Sequence, residues 1–360
     1  MAGFECSTQR RRDGRQLDLI ASTGHDVHAA ADYRACAAAG LRTARDGLRW
    51  HLIARADGSF DWSSWLPTLR AARDAGVQVI WDLHHYGHPA HLKFGTPAYT
   101  DAFARFAREA ARIHVEEVGA PPLVCPVNEI SFAAWAAKEG YFPKLITEGR
   151  RTKVALVESA LAALAAAREV APDLVAITAE PLISVVPAGP DAHDAATREY
   201  GYQWEALDML SGRTHPELGG HPDAIQVAGL NFYPHNQWFI GKDGRNAGTI
   251  PMGHHLYRPL SHLLADAAQR VRLPLLVAET GAEGSARPAW LHYVCDEVRA
   301  ARAAGTDVRG ICLYPVTDYP GWDNDRPCET GLWSAPGPDG ARRAYGPLMD
   351  ELHRQQALFA

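Results

Sequence analysis

Short apolar runs alternate with longer amphipathic stretches along the whole chain, and this alternation predicts a repeating strand and helix unit. The apolar runs predict strands at residues 3–6, 42–46, 77–83, 123–127, 174–178, 225–231, 275–278 and 310–314. The amphipathic stretches predict helices at 29–39, 65–75, 101–117, 154–170, 261–271, 290–303 and 344–358, with a poorer helical pattern over 197–212. Runs that are apolar throughout are typical of parallel strands covered on both faces.

Eight such units, with no linker rich in proline and serine between them, predict an α/β fold of the (β/α)₈ TIM-barrel type, with one catalytic domain over residues 1–360. A doubly wound sheet is the alternative, but no GxGxxG or Walker-type loop follows any predicted strand. The longest irregular segments, 181–195, 234–259 and 316–342, each follow a strand. We therefore expect them at the C-terminal rim, where barrels bind their ligands.

Composition narrows the classes of function. The chain has 360 residues, of which 47% are hydrophobic and 22% charged, a balance typical of a folded protein. Its net charge of -6 offers no basic excess, which argues against nucleic-acid and membrane partners. The first residues lack the apolar stretch of a secretory signal, and the six cysteines form no CxxC pair, so we expect a cytoplasmic protein with reduced thiols. The sequence leaves open whether the chain forms a homo-oligomer.

Polar side chains at the ends of the predicted strands are the candidates for chemistry, because barrel enzymes react at that edge. Glu129 and Glu279 follow the apolar runs LVCPV and PLLVA. Two carboxyl groups facing each other across a pocket are what cleavage of a glycosidic bond requires. One of them stays ionised beside a cation or hydroxyl such as Arg45 or Tyr233, whereas the pKa of a carboxyl near Trp135 or Trp322 is raised. Strand ends alone do not assign which is which.

Several motifs occur in one order along the chain. They are HDVHAAADYRACAAAGLRTARDGLRW at 25–50, LHHYGHP at 83–89, VNE at 127–129, GLNFY at 229–233 and AETGA at 278–282. In these motifs the chain resembles the family-1 glycoside hydrolases over nearly its whole length. The resemblance implies a retaining β-glycosidase, similar to a β-glucosidase, that hydrolyses a small β-glycoside by double displacement without a metal or organic cofactor. It also implies carboxyl groups roughly 5 to 5.5 Å apart.

The resemblance also assigns roles to residues. Glu129 takes the acid/base position and Glu279 the nucleophile position. The positions that steady the nucleophile or bind the sugar are Arg45, Tyr233, Asn128 for the 2-hydroxyl and His85 for the 3-hydroxyl, with Asn231 as a further substrate contact. An endo-acting glycanase of the same clan and a catalytically silent saccharide-binding barrel are the alternatives.

The chain departs from the family pattern after the eighth strand. The family carries a tryptophan there and a glutamate that grips the 4- and 6-hydroxyls, whereas this chain reads YPVTDYPGW, with Tyr314 and Gly321 in those places. We expect an altered sugar specificity and shortened rim loops, with Asp318, Trp322 or Asp323 replacing the missing grip. The strand-one glutamine of the family is matched only by Gln9.

Other side chains have simpler interpretations. A metal site at His84, His85, His88 and His91 is disfavoured, because Pro89 prevents a regular helix and no third ligand is apparent. Trp135, Trp238, Trp322 and Trp333 are expected in rim loops, where a tryptophan can stack on a sugar or pack. The basic run Arg10, Arg11, Arg12 and Arg15 is expected to be a solvated loop at the barrel mouth; holding an anionic sugar is its alternative role.

Overall fold

Parallel strands form the centre of this computed structural model, which describes residues 1–143, 145 and 149–359. The strands of the central sheet are β1 (Ala2–Gly3), β2 (Thr43–Gly47), β3 (Gln78–Asp82), β4 (Leu123–Cys125), β5 (Val175–Ala176), β6 (Glu180–Pro181), β8 (Ala228–Asn231), β11 (Leu275–Thr280) and β12 (Val308–Leu313). Two small sheets lie outside it and contain β7 (Ser184–Pro187), β9 (Gln237–Ile240), β10 (Asn246–Thr249), β13 (Tyr319–Pro320) and β14 (Pro327–Cys328).

The central sheet closes into a barrel. Its order is β5-β4-β3-β2-β1-β12-β11-β8-β6. Because β5 and β6 are two parts of one extended segment, that segment pairs with β4 on one side and with β8 on the other. A parallel bridge between Ile177 and Val227 joins them in between. The prediction of a (β/α)₈ TIM barrel is confirmed, and the doubly wound alternative is wrong.

Twelve helices are assigned within the described ranges, and most of them lie between successive barrel strands. They are α1 (Leu19–Ser22), α2 (His25–Ala38), α3 (Trp50–Ile53), α4 (Leu66–Asp74), α5 (Pro97–Val118), α6 (Ile130–Lys138), α7 (Gly149–Arg168), α8 (His193–Tyr202), α9 (Glu205–Leu210), α10 (Leu260–Val271), α11 (Arg287–Ala303) and α12 (Gly346–Phe359). Every predicted strand and helix has a counterpart, and the poor pattern over 197–212 resolves into α8 and α9.

Sequence reasoning missed α6, which lies directly after the fourth strand. Trp135 is therefore a helical residue and not the rim-loop residue that the sequence predicts. The other rim segments contain strands: β7 lies within 181–195, β9 and β10 within 234–259, and β13 and β14 within 316–342. The rim is thus built from hydrogen-bonded ribbons, which hold loop side chains in fixed places.

Burial between strands and helices supplies the core. The side chains of Trp50, Trp65 and Trp81 are almost completely buried, and Trp50 packs against Phe103 and Phe106 of α5. All six cysteines are buried, and none of them forms a disulfide within the described residues. None of the helices in the described ranges is long and apolar enough to cross a membrane.

A buried chain of charges ties the loop after the eighth strand to the first part of the barrel. The ring of His25 contacts Asp32 through Nδ1 at 2.8 Å and Asp46 through Nε2 at 2.9 Å. Arg342 donates to Asp32 from Nε at 2.7 Å and from Nη2 at 3.0 Å. Burial by itself lowers the pKa of His25, but the carboxylates of Asp46 and Asp32 raise it by more, so that the pKa is about 9. His25 is therefore protonated in the folded protein at neutral pH.

This charge state predicts a pH-dependent contribution to stability. Because the pKa of His25 rises from 6.5 to about 9 on folding, its contribution is complete below pH 6.5 and is lost as the pH rises through 9. Urea denaturation gives the free energy of unfolding of the unaltered protein and of His25→Gln at each pH. We expect the difference between the two to fall by about 3 kcal/mol over that range. The exposed His221→Gln variant serves as control, and a difference independent of pH would contradict the assignment.

Candidate active site

Glu279 and Glu129 lie at the C-terminal ends of barrel strands. Glu279 belongs to β11 and pairs in register with Asn231 of β8. Glu129 lies just beyond β4 and is the N-cap of α6, with a left-handed backbone at φ 42° and ψ 60°. Such a conformation is uncommon for a residue with a side chain and marks a position that its surroundings enforce.

Hydrogen bonds enforce the backbone of Glu129. Its N–H donates to the carbonyl oxygen of Ala179 at 2.7 Å, and its own carbonyl accepts from the N–H of Ala133 at 2.7 Å. Glu180 fixes the helix that follows, because its Oε2 accepts from the N–H of Ser131 at 3.1 Å. The start of α6 is thereby attached to the fifth strand segment, which orients the Glu129 carboxyl.

Arg45 connects the strand ends around Glu279. Its Nε and Nη2 donate to the two oxygens of Asp82 at 2.9 and 2.7 Å, and its Nη1 donates to Oε1 of Glu279 at 2.5 Å. The hydroxyl of Tyr233 donates to Oε2 of Glu279 at 2.8 Å. Each oxygen of Glu279 thus accepts a hydrogen bond, one of them from a cation, and this arrangement favours the ionised carboxylate.

The surroundings of Glu129 are different. The Tyr86 hydroxyl donates to Oε2 at 2.7 Å, and the Asn231 amide donates to Oε1 at 2.9 Å. Among the described residues no cation contacts Glu129. Burial and the negative charge of Glu279 raise the pKa of Glu129 to about 8, although these two hydrogen bonds act against the rise. Glu129 is therefore protonated at neutral pH, so the two carboxyl groups occupy the contrasting environments that the sequence predicts.

His85 and Asn128 are occupied by bonds to the protein. The amide nitrogen of Asn128 donates to Nε2 of His85 and to the Tyr86 hydroxyl, both at 2.9 Å. Since Nε2 then accepts, we assign the ring proton to Nδ1, which lies 2.8 Å from Asp82. Arg45 donates to the amide oxygen of Asn128. A sugar hydroxyl must therefore share or replace these bonds to reach either residue.

Tyr314 forms part of the floor of the site, where the family pattern has tryptophan. It is buried just beyond β12, and its ring lies parallel to that of His85, with centroids 6.3 Å apart. The guanidinium carbon of Arg45 lies 5.3 Å from the centroid of the Tyr314 ring. Gly3 makes room for this ring, because a Cβ there would lie 2.2 Å from Cδ2 of Tyr314.

The tryptophan candidates take different places. Trp322 packs against Tyr86, with ring centroids 5.7 Å apart, and so lies next to the residue that binds Glu129. Trp135 is 39% exposed and stacks on Tyr141 at the mouth, with centroids 5.6 Å apart.

Asp318 is bound into the loop after the eighth strand. Its Oδ1 accepts from the N–H of Gly331 at 2.8 Å and lies 3.7 Å from Nη1 of Arg287. These contacts hold the loop, and none of the contacts that Asp318 makes with the described residues reaches the carboxyl pair.

The basic run near the N-terminus lies at the rim with Arg12 and Arg15 exposed, as the sequence predicts, and its side chains also make specific contacts there. Arg11 and Arg15 both form ion pairs with Asp325 of the loop after the eighth strand. Arg12 donates to the carbonyl of Gly140 at 2.9 Å and lies over the ring of Tyr141. These contacts join three rim segments that are far apart in the sequence.

Sequence reasoning missed a third carboxyl group, that of Glu5. This buried residue accepts from the N–H and the hydroxyl of Ser7 at 3.0 and 2.5 Å. Burial raises the pKa of Glu5, His85 and the bonds from Ser7 oppose the rise, and the charge of Glu279 adds to it. The predicted first strand extends to residue 6, which concealed Glu5 within it, whereas β1 ends at Gly3. A correct strand end would have placed Glu5 on the rim.

One group of possible metal ligands occurs within the described ranges: a ligand atom each from Cys6, Asp82 and His85 lies within 4.8 Å of the others. Both oxygens of Asp82 are bound to the Arg45 guanidinium, which already neutralises that carboxylate. Burial and the charge of Asp82 raise the pKa of the Cys6 thiol well above its ordinary value. The set therefore fits a hydrogen-bonded network better than a metal site. No such group forms around His84, His88 or His91 in the part of the chain that the structure describes.

Comparisons with solved structures identify similar folds. A family 1 β-glucosidase from Thermotoga maritima, in complex with isofagomine lactam, has a TM-score of 0.75 and 14% identity, over 93% of this chain and 87% of that chain. The AHE enzyme from Alicyclobacillus herbarius has a TM-score of 0.76 and 19% identity, over 93% of this chain and 86% of that chain. The apo structure of β-glucosidase 1317 has a TM-score of 0.73 and 17% identity, over 93% of this chain and 89% of that chain. A scan against family models and a search of curated proteins find no match. At these identities the likeness shows a shared fold.

The electrostatic coupling of the two carboxyl groups can be measured directly. Because the charge of Glu279 raises the pKa of Glu129, we expect Glu279→Gln to lower that pKa below about 8. NMR titration of each protein with ¹³C-labelled glutamate carboxyls gives the pKa of Glu129 before and after the substitution. Glu180, whose pKa is raised to about 7 by burial, is the internal control, since Glu279 is not among the causes of its shift. An unchanged pKa of Glu129 would contradict the coupling.

Proposed function

We propose that this chain is a retaining β-glycosidase that hydrolyses a small β-glycoside by double displacement. The observation that carries the proposal is the asymmetry of the carboxyl pair: Glu279 binds Arg45 and Tyr233, whereas Glu129 has a pKa of about 8. Retaining glycosidases require one ionised and one protonated carboxyl group at the scissile bond. Structural similarity to β-glucosidases supports the proposal at the level of fold.

In the first step, a carboxylate oxygen of Glu279 attacks the anomeric carbon and the bond from that carbon to the leaving oxygen breaks. Glu129 gives its proton to the leaving oxygen, so that the aglycone departs as a neutral alcohol. The hydrogen bonds from Arg45 and Tyr233 hold the attacking carboxylate in position. The products are a glycosyl ester on Glu279 and an ionised Glu129.

In the second step, Glu129 acts as a base. The glycosyl ester removes the negative charge of Glu279, which is one cause of the raised pKa of Glu129, so that pKa falls in the intermediate. Glu129 takes a proton from water while the water oxygen attacks the anomeric carbon, and Glu279 is released as a carboxylate. Neither step requires a metal or an organic cofactor.

We further propose that the sugar contacts differ from those of a glucose-specific site. Tyr314 replaces the tryptophan of the family pattern, and Glu5 adds a buried carboxyl group near Glu279. Asn231 and Trp322 complete the set of candidate sugar contacts around Glu129, the first through its direct bond and the second through its packing on Tyr86.

Azide separates the two roles. We expect Glu279→Gly to lose hydrolysis of an aryl β-glycoside and, with added azide, to form the α-glycosyl azide, because azide then attacks the face that Glu279 leaves open. We expect Glu129→Ala to form the β-glycosyl azide, because the covalent intermediate still forms. NMR of the products gives both anomers.

The opposite pair of anomers would overturn the assignment of roles. An α-anomer as the first sugar released from a β-glycoside would overturn double displacement. Binding of a saccharide without turnover in the unaltered protein would favour the silent saccharide-binding barrel.

The raised pKa of Glu129 also predicts the pH profile. Because Glu129 must be protonated in the first step, kcat/KM should fall as the pH rises through about 8. The Tyr86 hydroxyl stabilises the ionised form of Glu129, so Tyr86→Phe should move this limb to higher pH. Tyr141→Phe at the exposed mouth is the matched control. A limb in Tyr86→Phe that stays in place or moves to lower pH would contradict the role of this hydrogen bond.

A further inference from the structure

A cavity of about 400 Å³ opens beside the carboxyl pair, between the loops that follow β1 and β3. Its lining includes Gln9, Arg10, Tyr86, Lys93, Phe94 and Phe142. Tyr86 connects the cavity to the chemistry, because its ring lines the cavity while its hydroxyl donates to Glu129. A ligand group bound here would be one side chain away from the acid.

The two loops are fixed against each other. The N–H of Thr8 donates to the carbonyl of His85 at 3.1 Å. A Cβ at Gly87 would lie 2.3 Å from the carbonyl oxygen of Thr8, so only glycine permits this approach. Gln16 is also tied down, since its amide donates to the carbonyl of Leu17 at 3.2 Å. The cavity is therefore preformed, as ligand sites usually are.

The charge of the cavity is opposite to that of the protein. Arg10 and Lys93 line it, together with His88 and His91, and none of the lining residues in the described ranges is acidic. Arg10 donates to the carbonyl of Gly14 at 2.8 Å, and no ion pair joins Arg10 or Lys93 to an acidic residue among those described. In a chain with a net charge of -6, two cations without acidic partners at one cavity favour an anionic ligand.

Gln9 adds a second polar feature to the same wall. It is 4% exposed, and its buried Oε1 has no hydrogen-bond partner among the described residues. A buried acceptor without a partner is unusual in a folded protein and is satisfied when a ligand supplies a donor, which here would be a hydroxyl of the glycoside and not its anionic group. The aromatic rings of Phe94 and Phe142 form the apolar part of the lining.

We propose that this cavity binds an anionic group that the glycoside carries, a phosphate, sulfate or carboxylate, and that Arg10 and Lys93 are its cationic contacts. This inference rests on the proposed glycosidase function and names the substrate class of the same site. The anionic group can belong to the sugar or to the aglycone, and the chemistry of recognition is the same in both cases.

The test compares matched substrates of the full chain. The sugar arm compares 4-nitrophenyl β-glucoside with its 6-phosphate and with 4-nitrophenyl β-glucuronide. The aglycone arm compares 4-carbamoylphenyl with 4-carboxyphenyl β-glucoside. We expect kcat/KM to be about tenfold or more higher for the anionic partner in one arm, mainly through KM, since a hydrogen bond to a charged group commonly changes binding by that factor.

Variants then assign the preference to the cavity. In Arg10→Gln/Lys93→Gln the ratio of anionic to neutral kcat/KM should fall towards one, whereas the exposed Lys242→Gln should keep it. The ratio is interpreted only if the double variant keeps the kcat/KM of the unaltered protein for the neutral glycoside, which shows that its fold is intact. The inference is overturned if the ratio is near one in both arms for the unaltered protein, or if the double variant retains the ratio. Hydrolysis of neutral glycosides would in either case still support the glycosidase proposal.

A binding measurement covers the case in which no glycoside is hydrolysed. The probes are the inert phenyl β-thioglucoside 6-phosphate and 4-carboxyphenyl β-thioglucoside, titrated by calorimetry. Binding that weakens about tenfold or more in the double variant supports the anion site although the glycosidase proposal fails. Absence of binding to both probes overturns the anion site as well.

Discussion

The buried guanidinium of Arg45 sets the geometry of the whole site. A cation removed from water is tolerated only when carboxylates and carbonyl oxygens surround it closely. Its partners come from three places, Asp82 at the end of β3, Asn128 just beyond β4 and Glu279 in β11. Removing any one of them leaves a charge or a donor unmatched in the interior. The strand ends therefore hold their relative positions because one side chain requires all of them.

The same cation creates the difference between the two carboxyl groups. It binds Glu279, and no comparable charge contacts Glu129 among the described residues. Glu129 instead receives two neutral hydrogen bonds, from Tyr86 and Asn231, which are too weak to offset burial and the neighbouring negative charge. One arginine thus gives two identical side chains contrasting surroundings. Its position on β2 places the cation beside Glu279 and not beside Glu129.

The barrel could be predicted from the sequence because apolar parallel strands leave a strong local signal, and the carboxyl pair followed from the strand ends. The features that could not be predicted depend on the exact residue at which a strand or helix ends, or on partners that are distant in the sequence. Glu5 was concealed by a strand end placed three residues too late. The helix that carries Trp135 was missed because it begins at Ile130, directly after Glu129. The partner of Arg11 and Arg15, Asp325, lies more than three hundred residues away, and no local pattern reveals such a pair.

The closure of the barrel has a consequence for synthesis on the ribosome. Strand β1 pairs with β12, and the amino group of Met1 donates to the carbonyl of Ile311 at 2.7 Å. Arg45 emerges 234 positions before Glu279, an interval on the order of tens of seconds at common rates of translation. Through that interval the guanidinium lacks one of its anions, and the first strand lacks one neighbour. A nascent chain therefore cannot assemble the carboxyl pair before Glu279 has emerged, and the assembled pair reports that the strands from β2 to β11 have come together.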